Sequence, residues 1–143
     1  MKRQLNSGGQ SGFTLIEALV ALLVLSIGLL GVAAMQLKAL QGAHAAYQRS
    51  IASLAAQDAQ ERLWAKMAIN SGTVCPTGSD VEDIQIAWQG EWSIFLPGFS
   101  DQSTLTGNSA CEYEANVVWD ETRFGEAEES FLYIFRLPTE ARP

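Results

Sequence analysis

The sequence has little of what catalytic and metal-binding sites usually require. Its 143 residues contain one histidine, His44, and two cysteines, Cys75 and Cys111, with no CxxC pair. Zinc sites are built from clusters of cysteine and histidine, so we expect no metal centre and no cofactor. His44 has no serine or cysteine constellation near it, and we expect it to be a structural or solvated histidine.

Basic residues are scarce as well. Nine Lys and Arg stand against sixteen Asp and Glu, which gives a formal net charge of −7. Binding to a phosphate backbone needs a basic face, so we expect no nucleic-acid partner. The acids of the C-terminal half fall on the solvent-facing side of a predicted strand and on an exposed link. This placement predicts solvated side chains, and we expect the protein not to be an enzyme. These acids are Glu112, Glu114, Asp120, Glu121, Glu126, Glu128 and Glu129.

Charge of either sign is nearly absent between Phe13 and Met35, where Glu17 is the single ionisable side chain. The run is long enough to span a bilayer, which takes about 20 helical residues. Lys2 and Arg3 precede it and predict a cytoplasmic N-terminus. Three hypotheses compete: a secretory signal cut after the run, a plain single-span anchor, and a leader cut before the run.

The position of Glu17 favours the third hypothesis. A plain anchor leaves the acid unexplained, and the run exceeds the h-region of a typical secretory signal. A cut between Gly12 and Phe13 creates an ammonium on Phe13, four residues before Glu17, and helical positions four apart share a face. The helix dipole also favours an acid in the first turns. Glu17 is therefore a functional-site candidate, whose partner is its own N-terminal ammonium or a neighbour's.

The segment "GFTLIEALVALLVLSIGLLGVAAMQ" resembles the prepilin leader junction and N-terminal helix of type IV pilins and type II secretion pseudopilins. The resemblance implies that a prepilin peptidase cuts after Gly12 and methylates Phe13. It also implies that Glu17 neutralises the N-terminus of an adjacent subunit during assembly.

The same resemblance implies a domain organisation. Residues 1–12 would be the cleaved leader, 13–35 the transmembrane and assembly half of a helix, and 36–143 a periplasmic pilin-like domain. The protein would sit in the bacterial inner membrane and then in the pilus fibre. Major pilins usually carry a proline in this helix, whereas here Gly28 and Gly31 occur and no proline precedes Pro76. The two glycines either permit local melting and close helix approach or are merely tolerated.

Periodicity predicts one helix from about residue 14 to residue 68, ended by Asn70-Ser71-Gly72. Its domain-facing stripe is predicted at Leu37, Leu40, His44, Tyr47, Ile51, Leu54, Leu63 and Met67. The stretch "SDVEDIQIAWQGEWSIFLPG" alternates over a short window, as a strand would, but follows helical spacing over a longer one. We interpret it as a helix that begins with a capping box at Ser79 and Glu82, has Gly90 as its weak point, and is ended by Pro97-Gly98.

Strand signals follow. In "CEYEANVVWDE" one face should be buried, formed by Tyr113, Ala115, Val117 and Trp119. "SFLYIFRL" is a second strand, apolar enough to be covered on both faces for part of its length, and "STLTG" suggests a short edge strand. The predicted fold is α+β, with a long helix packed on a short helix and a small antiparallel sheet. The pilin-like fold has the same outline.

The second half resembles PilV-type minor pilins, through "AWQGEWSIFLPG" and "NVVWDE". This resemblance implies priming of pilus assembly together with other minor pilins, near the tip, with the major pilin and an inner-membrane assembly platform as further partners. The alternative is the minor pseudopilin GspI of type II secretion. No calcium-loop run of aspartates, as in major pseudopilins, occurs near the C-terminus.

The two cysteines follow the apolar segment, which would carry them out of the cytoplasm. We therefore predict one disulfide between Cys75 and Cys111, because oxidising compartments favour such bonds. The alternative is two free thiols.

Overall fold

A computed structural model of the chain describes residues 12–70, 72, 74–121 and 128–138. The elements are α1 (Leu15–Ile69), α2 (Ser79–Trp92), α3 (Phe99–Gln102), β1 (Thr104–Gly107), β2 (Glu112–Asp120) and β3 (Glu128–Arg136). The predicted α+β arrangement of a long helix, a short helix and a small antiparallel sheet is confirmed. Residues 1–11 of the predicted leader and residues 122–127 of the acidic link lie outside the described residues.

The chain divides into two units, Met1–Leu40 and Gln41–Pro143. In the first unit, none of residues 12–40 is buried, and Ala18 alone is half-buried. The second unit has its own hydrophobic core, which joins one face of the sheet to α2, α3 and the part of α1 after residue 41.

Helix α1 begins and ends within one residue of the predicted bounds and continues without a break through Gly28 and Gly31. Its end agrees with the predicted terminator. Gly72 has a φ of 73°, where a side chain would be strained, and its amide donates to the carbonyl oxygen of Met67 at 2.9 Å. Glycine adopts that left-handed conformation freely, and the returning hydrogen bond satisfies a carbonyl in the last turn.

The predicted domain-facing stripe of α1 is wrong at four of its eight positions. Leu37 and Leu40 are exposed, and His44 is half-buried. Leu63 and Met67 are buried as expected and Ile51 is half-buried, but Tyr47 and Leu54 are exposed. The buried positions are instead Gln48, Ala52, Ala55, Ala56, Ala59, Leu63 and Met67. Alanines face the core because large aromatic groups approach the helix there: the Trp88 indole donates to the carbonyl oxygen of Ala55 at 2.8 Å.

The stretch from residue 79 is a helix, as predicted, but the capping box is wrong. Ser79 is the first helical residue, and Gly78 occupies the N-cap position with a φ of 57° and no side-chain cap. The tight turn before the helix needs this positive φ, which displaces serine from the cap. Helix α2 includes Gly90 and ends at Trp92, before the Pro97-Gly98 turn. The short α3 after that turn has no counterpart in the predictions.

The sheet has the order β1-β2-β3, and both pairs are antiparallel. Leu105 pairs with Ala115, and Tyr113 pairs with Phe135. The alternation in β2 is confirmed, since its four predicted inward residues, Tyr113, Ala115, Val117 and Trp119, are buried.

The prediction that β3 is covered on both faces is wrong. Leu132 and Ile134 are 53% and 58% exposed, whereas Phe135 is buried. The helices cover only one face of this single-layer sheet. An apolar side chain on the other face of the edge strand therefore stays exposed within the described chain.

Candidate functional site

The candidate processing and assembly site lies at the start of α1. Gly12, Phe13 and Thr14 precede the helix, and the carbonyl oxygen of Thr14 accepts from the amides of Glu17 (3.1 Å) and Ala18 (3.2 Å). Glu17 therefore lies in the first turn, where unpaired amides and the helix dipole favour a negative charge. Phe13 lies before the first helical residue, Leu15, and the pairing of a Phe13 ammonium with the Glu17 carboxylate stays a prediction.

The segment after Glu17 is apolar around its whole circumference. An 18-residue window of α1 has a mean hydropathy of 2.6, and none of that window is buried. Leu15 is 84% exposed and Leu30 is 71% exposed. By length and composition this part of α1 is able to cross a membrane, although a signal sequence has similar properties. Its side chains need an apolar environment that the described residues do not supply.

The second unit is cross-linked near the end of α1. Cys75 and Cys111 form the predicted disulfide, with their Cα atoms 5.1 Å apart and 36 positions apart in sequence. Asn108 supports the turn before Cys111: its Oδ1 accepts from the amides of Ala110 (2.9 Å) and Glu112 (3.2 Å). The bond ties the segment after α1 to the start of the central strand.

The Tyr113 hydroxyl lies beside this cross-link and donates to the carbonyl oxygen of Pro76 at 2.9 Å. Burial raises the pKa of Tyr113, so the phenol stays neutral and keeps this hydrogen bond at ordinary pH. The hydrogen bond and the disulfide join the same two segments.

The expectation that Glu121 is solvated is wrong. Its side chain is 3% exposed and lies next to His44, whose Nδ1 is 3.2 Å from Glu121 Oε1. The two groups are within ion-pair distance, and neither carboxylate oxygen accepts a hydrogen bond from the described residues. The sequence contained a signal for this burial. Every second residue from 113 to 119 faces the core, and residue 121 is the next position in that alternation.

The burial of Gln48 and its contact with Trp119 were not predicted. The Trp119 indole donates to Gln48 Oε1 at 3.2 Å, and Gln48 is one of the few buried polar residues. Gln48 and Glu121 border two cavities of about 330 and 290 Å³. The periodicity of apolar residues does not indicate that a glutamine is buried. The burial of Gln48 could therefore not be predicted from the sequence pattern.

The other acids of this region are mostly solvated. Glu112 and Glu114 are exposed as predicted, and Glu112 forms an ion pair with Arg136 at 3.1 Å. Asp120 and Glu129 are half-buried, and Glu126 lies outside the described residues. Across residues 12–70, 72, 74–121 and 128–138, no group of three acids, histidines or cysteines is placed to hold a metal ion.

Comparison with known proteins identifies the N-terminal segment. Residues 8–33 match the family model of the prokaryotic N-terminal methylation motif. The match includes Gly12, Phe13 and Glu17 and all but the last two residues of the apolar run. No curated protein and no solved structure gives a significant match to the chain. The motif, on a long apolar helix followed by a small α+β domain, indicates a type IV pilin-like prepilin, either a pilin or a pseudopilin.

Proposed function

We propose that this protein is a PilV-type minor type IV pilin that primes pilus assembly with other minor pilins and stays near the pilus tip. The observation that carries the proposal is the match of residues 8–33 to the N-terminal methylation motif. The prepilin peptidase cuts between Gly12 and Phe13 and methylates the new N-terminus. Residues 1–12 are then the leader, and the apolar half of α1 remains on the mature chain.

The exposed apolar surface has two successive roles in this proposal. Before processing, α1 anchors the chain in the inner membrane as a single span. After extraction from lipid, the same side chains are buried against the helices of other subunits. Head-to-tail contacts between offset subunits build a helical filament rather than a closed ring. The partners are other minor pilins, the major pilin and the inner-membrane assembly platform.

Glu17 sets the register of that packing. In an apolar bundle an unpaired carboxylate is costly, whereas one that meets the ammonium of an adjacent Phe13 is stabilised. Its position in the first turn of α1 supports this role. A subunit out of register would leave both charges buried and unpaired.

The C-terminal domain lies in the periplasm in this proposal, with Lys2 and Arg3 on the cytoplasmic side. The disulfide Cys75–Cys111 supports an oxidising compartment. We further propose that the domain is a structural and interaction module with no catalytic activity and no nucleic-acid partner. The net charge of −7 supports the second point, and the exposure of Glu112 and Glu114 supports the first.

The GspI-like minor pseudopilin is the second candidate, because it shares the N-terminal pattern and has similar size. The two functions differ in the machine that receives the subunit. Adjacent genes for pilus biogenesis favour the minor pilin, and adjacent genes for type II secretion favour the pseudopilin.

Intact-mass analysis of the chain, made together with a prepilin peptidase, tests the processing step. We expect a product that lacks residues 1–12 and carries one added methyl group on Phe13. The Gly12→Val variant should remain uncut because a branched side chain blocks close approach to the scissile bond. The matched Gly31→Val variant, which alters another glycine of the motif, should be cut normally. A mature chain that starts after Ala34 would contradict the proposal.

A further inference from the structure

The two edges of the sheet differ in what their backbone groups contact. At the β1 edge the partners come from α2: Gln85 Oε1 accepts from the amide of Leu105 at 2.7 Å, and Gln89 Nε2 donates to the carbonyl oxygen of Ser103 at 2.6 Å. The two glutamines are four residues apart on α2, so they share a helical face. A strand that paired with β1 would have to displace both side chains. The β1 edge is therefore protected.

Strand β3 forms the other edge, and within the described chain it pairs only with β2. The amide of Leu137 donates to the carbonyl oxygen of Cys111 at 2.9 Å, so these two residues are a hydrogen-bonded pair of the antiparallel register. Odd-numbered residues of β3 share this orientation, and even-numbered residues direct their amides and carbonyl oxygens away from β2. These even-numbered residues are Glu128, Ser130, Leu132, Ile134 and Arg136.

The same residues carry side chains on the uncovered face of the sheet. Leu132 and Ile134 are 53% and 58% exposed. An edge strand of nine residues without proline or glycine, with exposed apolar side chains, is a template for pairing with another chain. An added strand would cover the apolar pair and also supply donors and acceptors to the free backbone groups. A small apolar ligand would do only the first, so the edge is suited to a polypeptide strand.

We propose that the free edge of β3 is a docking site for an extended strand of a different subunit of the pilus assembly, which joins the sheet as a fourth strand. The partner strand would present apolar side chains beside Leu132 and Ile134 and a basic side chain beside the exposed Glu128, since cross-strand neighbours of this kind stabilise pairing. This inference rests on the proposed function, because it requires an assembly of subunits.

A second copy of this chain is not suited to supply that strand. Its β1 edge is occupied by the two glutamines of α2, and pairing of β3 with β3 about a two-fold axis is antiparallel. Contacts along α1 show that it runs in the same direction as β3: Arg49 pairs with Glu129, and Gln60 accepts from the Tyr133 hydroxyl. Two copies paired through β3 would therefore enter their domains from opposite ends, whereas subunits anchored in one membrane enter from the same side.

The first test uses the full chain in detergent micelles and a synthetic strand, the peptide Lys-Thr-Val-Thr-Val-Thr-Val-Thr-Lys with blocked ends. Amide hydrogen exchange is followed by NMR. At saturation, exchange should slow by at least roughly tenfold at the free amides of Ser130, Leu132 and Ile134, and change little at the odd-numbered residues already bonded to β2. The same peptide with every valine and threonine N-methylated keeps its side chains but has no interior amide donors, and should give no protection. Equal protection by both peptides, or none by either, overturns the proposal.

Two variants separate backbone pairing from apolar contact. Ser130→Pro removes a free amide without removing a hydrogen bond to β2, and proline is tolerated at an edge position whose amide faces solvent. It should abolish the protection by the peptide, whereas Ser130→Ala should retain it. Ile134→Thr should weaken peptide binding, and Ile86→Thr, the same change at an exposed isoleucine of α2, should not. Peptide binding by Ser130→Pro as tight as that of Ser130→Ala would overturn the proposal.

The second test measures co-isolation in cells that make the other pilin-class subunits, with leader processing followed in the same samples. Ser130→Pro and Ile134→Thr should co-isolate less with those subunits than Ser130→Ala and Ile86→Thr. If the wild-type chain is not cut after Gly12, the proposed function fails, whatever the peptide result. If it is cut and incorporated, and all four variants are incorporated equally well, the docking site alone is overturned.

Two other occupants of the edge have distinct signatures. Peptide binding that appears only after residues 139–143 are deleted would overturn the proposal, because the chain's own C-terminus would then occupy the edge. A dimer of the wild-type chain that Ser130→Pro abolishes, detected as a doubled protein mass in the micelle, would also overturn it, because the strand would then come from a second copy.

Discussion

Leucines on the same helix have opposite environments in the two units of this molecule. Leu22, in the first unit, is 63% exposed, whereas Leu63, in the second, is fully buried. Both lie in the continuous helix α1. The difference comes from what covers the helix: α2, α3 and the sheet supply a core to the second unit, and none of residues 12–40 is buried. Hydrophobicity alone therefore does not determine burial; the available packing partner does.

The units also differ in how polarity is distributed. Apart from the Glu121 carboxylate, buried polar groups of the second unit form hydrogen bonds with one another: the Ser103 hydroxyl accepts from the amide of Val118 at 2.9 Å, and the Trp88 indole donates to the carbonyl oxygen of Ala55. The fold of the second unit therefore depends on many contacts. In the first unit, Glu17 is the one acidic group among the described residues before Lys38. One substitution should therefore have a larger effect on the assembly of the first unit than on the folding of the second.

The largest effect is expected from Glu17→Ala. Cleavage after Gly12 should continue, but the amount of chain recovered in sheared pili should fall by roughly a hundredfold, because removing one member of a buried ion pair leaves the other uncompensated. Glu61→Ala, which removes an exposed acid from the same helix, is the control and should assemble normally. Quantitative immunoblotting of the pilus fraction measures the ratio. Normal assembly of Glu17→Ala would refute the pairing with Phe13.

A large effect confined to the second unit is expected from removing the disulfide. Cys75→Ser/Cys111→Ser should lose roughly 3–4 kcal/mol of unfolding free energy, the chain-entropy value for a loop of this size. Urea unfolding followed by tryptophan fluorescence isolates the domain, because all four tryptophans follow residue 41. The far-ultraviolet helix signal of the apolar segment in micelles should not change. Equal stability of the double variant and the oxidised wild type would contradict this role.

A matched pair of alanines compares the units directly. Ala55→Leu should destabilise the domain by about 1–3 kcal/mol, because extra methylene groups overpack a filled core beside Trp88. Ala34→Leu makes the same change on the exposed part of α1 and should leave the urea midpoint unaltered. If both variants shift the midpoint equally, the two units do not differ in packing as described.

Sequence analysis predicted the elements of the fold better than their packing. The bounds of α1 and the inward face of β2 follow from local periodicity, so they were accessible. The alanine face of α1 was missed because small residues become core positions only when a large group such as Trp88 approaches them. The exposure of Leu132 and Ile134 was missed for the corresponding reason, since a strand does not reveal whether a second layer covers its sheet.

In the candidate site, too, local features were predicted from the sequence, whereas tertiary contacts were not. Glu17 stands out in the sequence because it interrupts an apolar run, and its position relative to Gly12 is part of the motif. The Cys75–Cys111 bond was predicted from the compartment, since no other cysteine is present. Glu121 was misassigned because the adjacent acids suggested a solvated link. It lies two residues after Trp119, however, and the alternation of the strand therefore places it on the buried face. Tertiary contacts with His44 and Gln48 join residues more than 70 positions apart, which no local pattern encodes.

The smallest expected effect comes from two glycines. Gly98 has a φ of 77°, and a Cβ there would lie 2.6 Å from Asp120 Oδ2, so Gly98→Ala should destabilise the domain by about 1–2 kcal/mol. Gly28 is helical with open space around it, and Gly28→Ala should leave the domain's urea midpoint unchanged. Alanine favours the helix by roughly 0.5–1 kcal/mol over glycine, but we expect the first unit not to unfold together with the domain, so this gain should not move the midpoint. A shifted midpoint in Gly28→Ala would show that the two units unfold together.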